Sequence, residues 1–287
     1  MEQAQIRKVH QIVTGTHQTD GAGVHLVRVI GHSTVYDFDP FLMLDAFDST
    51  NPDDYIKGFP WHPHRGIETV TYLVKGQIEH GDSLGNAGAI NDGCCQWMTA
   101  GGGIIHQEMP QPSPRMLGLQ LWVNLPAKDK MTRPQYRDLT ADRIPVVREE
   151  GCQVSVLAGS YGQTQGATQG DYVRTRFLAV ELQPDRSFSV PADPDETLFI
   201  SAFSGSGLTG PNLSEPVISR RAVLFDAGEQ FAIQAGPDGL HFVLVSGRPL
   251  HEPIAWGGPI VMNTKEQLRK AFADLDAGTF IAGTGPD

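Results

Sequence analysis

Apolar and polar residues alternate through most of the chain, and this pattern predicts β-strands. Four apolar residues share one face of the segment 117–125: Leu117, Leu119, Leu121 and Val123. The β-branched segment 68–74 is a second strong strand signal. Turns rich in glycine and proline separate such segments, and the chain has 32 glycines and 20 prolines to form them. The pattern predicts an all-β fold with a closed or sandwiched arrangement of strands.

The strand pattern restarts after residues 126–150, the most charged segment of the chain. This segment carries three prolines, and we interpret it as the connection between two domains, 1–135 and 136–287. Further strand-like segments follow it at 153–158, 174–182, 187–190, 197–203, 222–225, 230–234 and 240–246. The second half is therefore predicted to be another β domain of similar size.

One segment near the end, residues 263–278, predicts a helix. Thr264 and Gln267 form a capping-box signal, and Gly278 fits the position just after a helix. Four apolar residues recur at helical spacing: Leu268, Ala271, Phe272 and Leu275. We expect this apolar face to pack against the second domain, with a partner-binding helix as the alternative.

Charge and cysteine content exclude several classes of protein. The formal net charge of -11 argues against direct binding to nucleic acid or to anionic lipid. Three cysteines imply no disulfide framework, and they suit a reducing cytoplasm. Neither a signal peptide nor an apolar run of about 18 residues is seen, so we expect a cytoplasmic chain that does not enter a membrane.

Two pairs of polar residues in the stretch 58–110 suggest a metal site. His62 and His64 form an H-x-H pair, and His106 and Glu108 form an H-x-E pair. Residues two apart on a strand share a face, so two such strands can present three imidazoles and one carboxylate to a single ion. A lone strand histidine is more often a hydrogen-bonded structural residue. The second pair favours a transition-metal site, with iron or a neighbouring metal as the ion.

Other residues near these pairs have more than one interpretation. Glu108 can serve both as a ligand and as a base toward a substrate hydroxyl. Glu68 can ligate, orient a histidine or bind a substrate hydroxyl, and we expect the orienting role. Arg65 either supports the ligands or is solvated. Five apolar residues either line a pocket or belong to the core: Phe59, Trp61, Trp97, Met98 and Ile105. The second half holds neither an H-x-H nor an H-x-E pair, so we expect no metal there.

Several long segments resemble the pirin family. They are GFPWHPHRGIETVTYL, GDSLGN, QWMTAGGGIIHQEMP, LGLQLWVNLP, MTRPQYRDL and GRPLHEPIAWGGPIVMNTKEQL, in that order along the chain. The resemblance implies two cupin-type β-barrel (double-stranded β-helix) domains, with one mononuclear metal in the N-terminal barrel. It also implies that the metal is usually iron and that the family's ligand motifs fall on His62, His64, His106 and Glu108.

The resemblance implies two different functions. Some pirins resemble quercetin 2,3-dioxygenases, which open the flavonol ring with dioxygen and release carbon monoxide. We therefore expect a dioxygenase that acts on a planar flavonol, with Glu108 as its catalytic base. The expected metal is Fe(II)/Fe(III), with manganese, nickel, cobalt, copper or zinc as alternatives. Other pirins are regulators that bind partner proteins, so the alternative is a metal-dependent regulatory protein without substrate turnover. A metal-storage or scaffold protein is a third interpretation.

Overall fold

A computed structural model describes residues 4–281, and this part of the chain is mainly β-structure with one α-helix. The strands are β1 (Val9–Thr14), β2 (Thr16–Asp20), β3 (Val24–Ile30), β4 (Phe41–Ser49), β5 (Phe59–His64), β6 (Ile67–Lys75), β7 (Gln77–Asp82), β8 (Ala87–Ile90), β9 (Cys95–Thr99), β10 (Ile104–Gln111), β11 (Met116–Asn124), β12 (Gln135–Leu139), β13 (Val146–Glu149), β14 (Cys152–Ala158), β15 (Ser160–Tyr161), β16 (Thr164–Gln165), β17 (Thr175–Leu182), β18 (Ser187–Pro191), β19 (Thr197–Thr209), β20 (Glu215–Ile218), β21 (Arg221–Phe225), β22 (Gln230–Gly247), β23 (Ala255–Gly257) and β24 (Ile260–Met262). Two 3-10 helices span Pro52–Asp54 and Ala127–Asp129, and α1 spans Lys265–Asp276.

The chain folds into two compact units that alternate along the sequence. The aromatic unit comprises Met1–Thr16, Val27–Pro40 and Asp142–Pro249, and the histidine unit comprises His17–Leu26, Phe41–Ala141 and Leu250–Asp287. The sequence pattern instead suggested one boundary near residue 135. The N-terminal strand explains part of this difference, because β1 pairs with β21 and so joins the unit formed by the second half.

The aromatic unit is built on one large sheet. Its strands run in the order β1-β21-β19-β22-β17-β14-β13, with β18 paired to β22 and β20 paired to β19. Alternate residues of these strands are buried, as Phe188 and Val190 are in β18. They form an apolar cluster that contains four phenylalanines: Phe188, Phe225, Phe231 and Phe242. This cluster is the core of the unit.

The histidine unit contains two larger sheets. Five of its strands, in the order β12-β9-β6-β11-β4, belong to a seven-stranded sheet. The four-stranded sheet has the order β5-β10-β7-β8. Strand β6 is buried along most of its length because its β-branched residues pack on both faces. Strand β10 buries alternate residues, so its two faces lie in different surroundings.

The mainly β fold confirms the coarse prediction from the sequence. Predicted strands at 68–74 and 117–125 appear as β6 and β11. None of the sheets formed by residues 4–281 closes into a barrel, so the two cupin-type barrels stay a prediction. The segment 126–150 was interpreted as a connection, yet it carries β12 and β13, which pair with β9 and β14.

The C-terminal helix forms where its caps predicted it. Thr264 and Gln267 make both hydrogen bonds of the capping box, and Gly278 follows the helix with φ of 70°. In the structure α1 belongs to the histidine unit, which also contains most of the predicted first domain. Buried Ala271 packs there with Ile260 and Met262 of β24 and with Phe280. In the described part of the chain, α1 is too short and too polar to cross a membrane.

Candidate metal centre

Three of the predicted ligands meet on the four-stranded sheet. Antiparallel pairing of β5 with β10 places His62 opposite His106 and His64 opposite Ile104. The imidazole centroid of His62 lies 4.8 Å from that of His64 and 4.4 Å from that of His106. The rings of His64 and His106 lie 5.0 Å apart. Two strands therefore bring three imidazoles to one point, as the spacing of the motifs predicted.

Backbone carbonyls fix the orientation of two of these rings. His62 Nδ1 lies 2.8 Å from the carbonyl oxygen of Pro60, and His64 Nδ1 lies 3.0 Å from that of Pro259. A carbonyl only accepts, so each Nδ1 carries a hydrogen, and in a neutral ring the Nε2 is then left with a lone pair. The two Nε2 atoms are 3.1 Å apart. Two lone pairs at this distance repel each other unless a cation lies between them.

The third ring has an unpaired nitrogen. His106 is buried, and its Nε2 has no hydrogen-bond partner among residues 4–281. Burial lowers the pKa of His106 well below its usual value, and the nearby His62 and His80 lower it further. Burial likewise lowers the pKa of His64, followed by the effects of His106 and His62. The rings of His64 and His106 are therefore held neutral, which is the form that binds metal.

These three histidines can hold a metal ion. One potential ligand atom from each lies within 4.8 Å of the others, and no other such group occurs among residues 4–281. Three imidazole nitrogen donors suit a first-row transition metal better than magnesium or calcium, which prefer oxygen. The unpaired Nε2 of His106 and the facing Nε2 atoms of the other two rings fit such an ion.

Glu108, the fourth predicted ligand, lies outside this group. Its carboxylate accepts hydrogen bonds from Gln120 Nε2, at 2.9 and 3.1 Å, and from Thr71 Oγ1, at 3.1 Å. The pairing of β5 with β10 is also irregular between His106 and Glu108. Regular pairing would place Glu108 opposite Pro60, two residues before His62, but Glu108 lies opposite Phe59. The carboxylate is thus held by β6 and β11, and its role as a ligand stays a prediction.

A small apolar cavity adjoins Glu108. Phe59, Tyr55 and Met116 are among the residues that line it, together with Thr71 and Gln120. Its volume is about 10 Å³, which is room for about one water molecule. Phe59 therefore lines a cavity, whereas Trp97 and Met98 are buried in the core and Trp61 is 55% exposed.

Two residues that the sequence motifs did not identify, Gln120 and Trp122, contact the predicted ligands. Gln120 donates to Glu108, and Trp122 lies edge-on to His64 with ring centroids 5.1 Å apart. Trp122 Nε1 also donates to Gln120 Oε1 at 3.3 Å. Both residues occupy the face of β11 opposite its leucines. A glutamine between apolar neighbours on a buried strand is the signal that could have identified this face.

Arg65 and Glu68 lie next to the ligand strand but have structural partners. Arg65 is buried, and it donates to the carbonyl oxygens of Gly102 and Phe280 and to the carboxylate of Asp274. It therefore ties α1 to the strand that carries His64. Glu68 is fully buried and accepts from Thr99 Oγ1 at 2.6 Å. Burial raises the pKa of Glu68.

A glycine separates Glu68 from the ligand strand. Gly66 has φ of 80°, and a Cβ there would lie 2.0 Å from the carbonyl oxygen of Val261. The chain turns at this point from β5 into β6, which belongs to the other sheet. His64 and Glu68 therefore do not lie on one regular strand, and their even spacing does not place them on the same face.

Comparison with known proteins identifies the family. A family model described as Pirin matches residues 23–123, and one described as Pirin C-terminal cupin domain matches residues 177–281. A pirin-like protein from Caulobacter vibrioides is 41% identical over 278 residues, which cover 96% of this chain and 99% of that protein. The chain belongs to the pirin family. The resemblance inferred from the sequence motifs is thus confirmed.

Two further comparisons extend over nearly the whole chain. Human pirin is 39% identical over 274 residues, which cover 94% of this chain and 92% of that protein. A crystal structure of quercetin 2,3-dioxygenase from Acinetobacter baumannii has a TM-score of 0.88 and 29% identity, and the match covers 96% of this chain and 98% of that chain.

Proposed function

We propose that this pirin is a mononuclear metal dioxygenase that opens the ring of quercetin or a related flavonol. The observation that supports it best is the group of three imidazoles with a carboxylate, Glu108, on the same strand as one of them. The fold similarity to quercetin 2,3-dioxygenase from Acinetobacter baumannii supports the substrate class. Fold similarity alone does not decide function, so the site has to support the reaction as well.

Our proposal assigns the metal to His62, His64 and His106, with Glu108 as a fourth donor when its carboxylate turns toward them. Iron is the expected ion, and the same donor set accepts manganese, nickel, cobalt, copper or zinc. When bound, an iron-like ion supplies Lewis acidity and one-electron chemistry with dioxygen.

Glu108 is the proposed base for the flavonol hydroxyl. Its Oε1 accepts hydrogen bonds from both Thr71 and Gln120, whereas Oε2 accepts one from Gln120. Oε2 therefore has the greater capacity to take a proton from the substrate. Thr71 and Gln120 fix the orientation of the carboxylate, as a general base requires.

The small cavity beside Glu108 favours a second candidate function. A volume of about 10 Å³ is far below the roughly 300 Å³ or more of typical ligand pockets, so a flavonol can enter this cavity only by displacing side chains such as Met116 or Phe59. A regulatory protein that holds a metal without turning over a substrate needs no such space. Its partner would be another protein that distinguishes the ferrous from the ferric form.

Incubation of the iron-loaded protein with quercetin, in air and without oxygen, tests the first proposal. We expect oxygen-dependent loss of the flavonol with release of carbon monoxide. Glu108→Gln should slow this reaction by about 100-fold or more, as expected when a general base is removed. Glu79→Gln is the matched control, because Glu79 is an exposed residue of the neighbouring strand β7.

Absence of oxygen-dependent flavonol loss in protein that carries a full complement of metal would refute the dioxygenase. A partner protein that only the ferrous form or only the ferric form of this pirin captures reproducibly from cell extract would then support the regulatory function. Partner sets that are identical for ferrous and ferric protein would contradict it.

A further inference from the structure

The aromatic unit contains a cleft that the proposed metal chemistry does not use. Its lining includes Arg174, Arg176, Asp193 and Glu196, with Ser160 and Gln169 nearby. The cleft has a volume of about 220 Å³. This is below the roughly 300–1,000 Å³ of pockets for drug-sized ligands, so an occupant should be about as large as an amino acid.

Arg176 has an unpaired hydrogen-bonding edge. Its Nη1 donates to the carbonyl oxygen of Pro191 at 2.7 Å, which fixes the guanidinium. Its Nε and Nη2 are buried and have no hydrogen-bond partner among residues 4–281. These two atoms form the edge of a guanidinium that binds a carboxylate through two parallel hydrogen bonds. Buried donors of this kind are costly unless something accepts from them.

The acidic residues of the cleft already have partners. Glu196 Oε2 accepts from Ser246 Oγ at 2.7 Å, and Asp193 Oδ1 accepts from the backbone N–H of Asp195 at 3.0 Å. Buried Arg7 fixes this wall from within by donating to the carbonyl oxygens of Asp193 and Glu196. Asp193 and Glu196 are thus held in place without contacts to Arg176. They place two negative charges near Arg174 and Arg176.

This arrangement selects for one class of ligand. The exposed Arg174 and the positive charge of Arg176 favour a carboxylate, which reaches the unpaired edge of Arg176 when that side chain shifts into the cleft, whereas Asp193 and Glu196 disfavour a dianion such as phosphate. The same two acids can accept from an amino or hydroxyl group. We infer that this cleft binds a small carboxylate that also carries an amino or hydroxyl group, with the carboxylate on Arg176.

Ligand-observed NMR on the full-length, metal-loaded protein tests this inference with L-serine, L-lactate, ethanolamine and inorganic phosphate as probes. We expect serine or lactate to bind, and ethanolamine and phosphate to bind at least about tenfold more weakly. Arg176→Lys keeps the charge but loses the paired donors, so binding should weaken by about tenfold or more. Arg186→Lys is the matched control, because Arg186 is an exposed arginine of the same unit and should leave binding unchanged.

Arg174→Gln provides a second test if Arg176→Lys does not fold, since Arg174 is exposed. It should weaken carboxylate binding severalfold. His106→Gln should leave this binding unchanged, which separates the cleft from the metal site. The inference is overturned if neither carboxylate binds up to about 50 mM, if ethanolamine or phosphate binds equally well, or if Arg174→Gln has no effect.

Discussion

The two units of this pirin use the same kind of secondary structure but bury different chemistry. The aromatic unit fills its core with phenylalanines, and the rings of Phe225 and Phe231 lie 5.2 Å apart, edge to face. The histidine unit buries His64, His106 and Glu108 instead. Apolar packing stabilises a fold directly, whereas buried polar groups need partners. In the histidine unit, strands therefore position a few buried polar side chains that form the candidate metal centre, whereas in the aromatic unit they position an apolar core.

Removal of an aromatic ring should produce the largest change in stability. Phe242→Ala leaves a cavity among Phe188, Phe231 and their neighbours, so the free energy of unfolding should fall by about 3–5 kcal/mol. Urea denaturation measures this loss. Metal content per folded chain should stay constant, because the aromatic core is structural in this account. Phe272→Ala is the control, and the partly exposed Phe272 should contribute less than about 1 kcal/mol. Loss of metal from folded Phe242→Ala would contradict the claim that the aromatic unit is structural and does not contribute to metal binding.

Loss of a histidine donor should abolish metal binding with a smaller effect on stability. His106→Gln removes the buried, unpaired Nε2 from the group, so metal affinity should fall by at least about 100-fold. Elemental analysis after dialysis against a weak chelator measures the change. His25→Gln is the matched control, because His25 is an exposed histidine of the same unit. Equal metal content in the two variants would show that His106 is not a ligand.

A change at Gln120 tests how the carboxylate is positioned. Gln120→Leu removes the donor that contacts both oxygens of Glu108, so quercetin turnover should fall by about tenfold while most of the metal is retained. Steady-state kinetics and metal analysis on the same sample separate the two effects. Gln77→Leu, at an exposed position of β7, should leave turnover unchanged. Unaltered turnover in Gln120→Leu would remove Gln120 from the site.

The pH dependence of stability should reveal the neutral histidines. Folding lowers the pKa of His64 and His106, so below about pH 6.5 the unfolded chain binds more protons than the folded chain. The free energy of unfolding of chelator-treated protein should therefore fall by about 1–3 kcal/mol between pH 6.5 and 5.5. The pKa of His80 is also lowered, whereas the pKa of Glu68 is raised and acts on stability in the opposite direction. The contribution of His64 and His106 is therefore the part of the fall in the free energy of unfolding that is absent from the double variant His64→Gln/His106→Gln. An unchanged loss in that double variant would contradict the prediction.

Local signals in the sequence predicted local structure well. The H-x-H pair and the histidine of H-x-E predicted that three imidazoles would come together, because two short strands define their faces, and their role as ligands stays a prediction. The capping box and Gly278 defined α1 in the same way. Distant contacts gave no such signal. Pro259 orients His64 from 195 residues away along the chain, and Thr71 holds Glu108 from 37 residues away. The pairing of β1 with β21 depends on the whole intervening fold and could not be inferred from residues 9–14.

X-ray absorption spectroscopy of the metal-loaded protein tests the central claim most directly. The account predicts a first shell of light donor atoms with the outer-shell scattering of about three imidazole rings at distances typical of nitrogen ligands. This imidazole scattering should decrease in any metal that His106→Gln retains and should be unchanged in His25→Gln. A spectrum of oxygen donors without imidazole scattering, or one dominated by sulfur, would contradict a metal centre built from His62, His64 and His106.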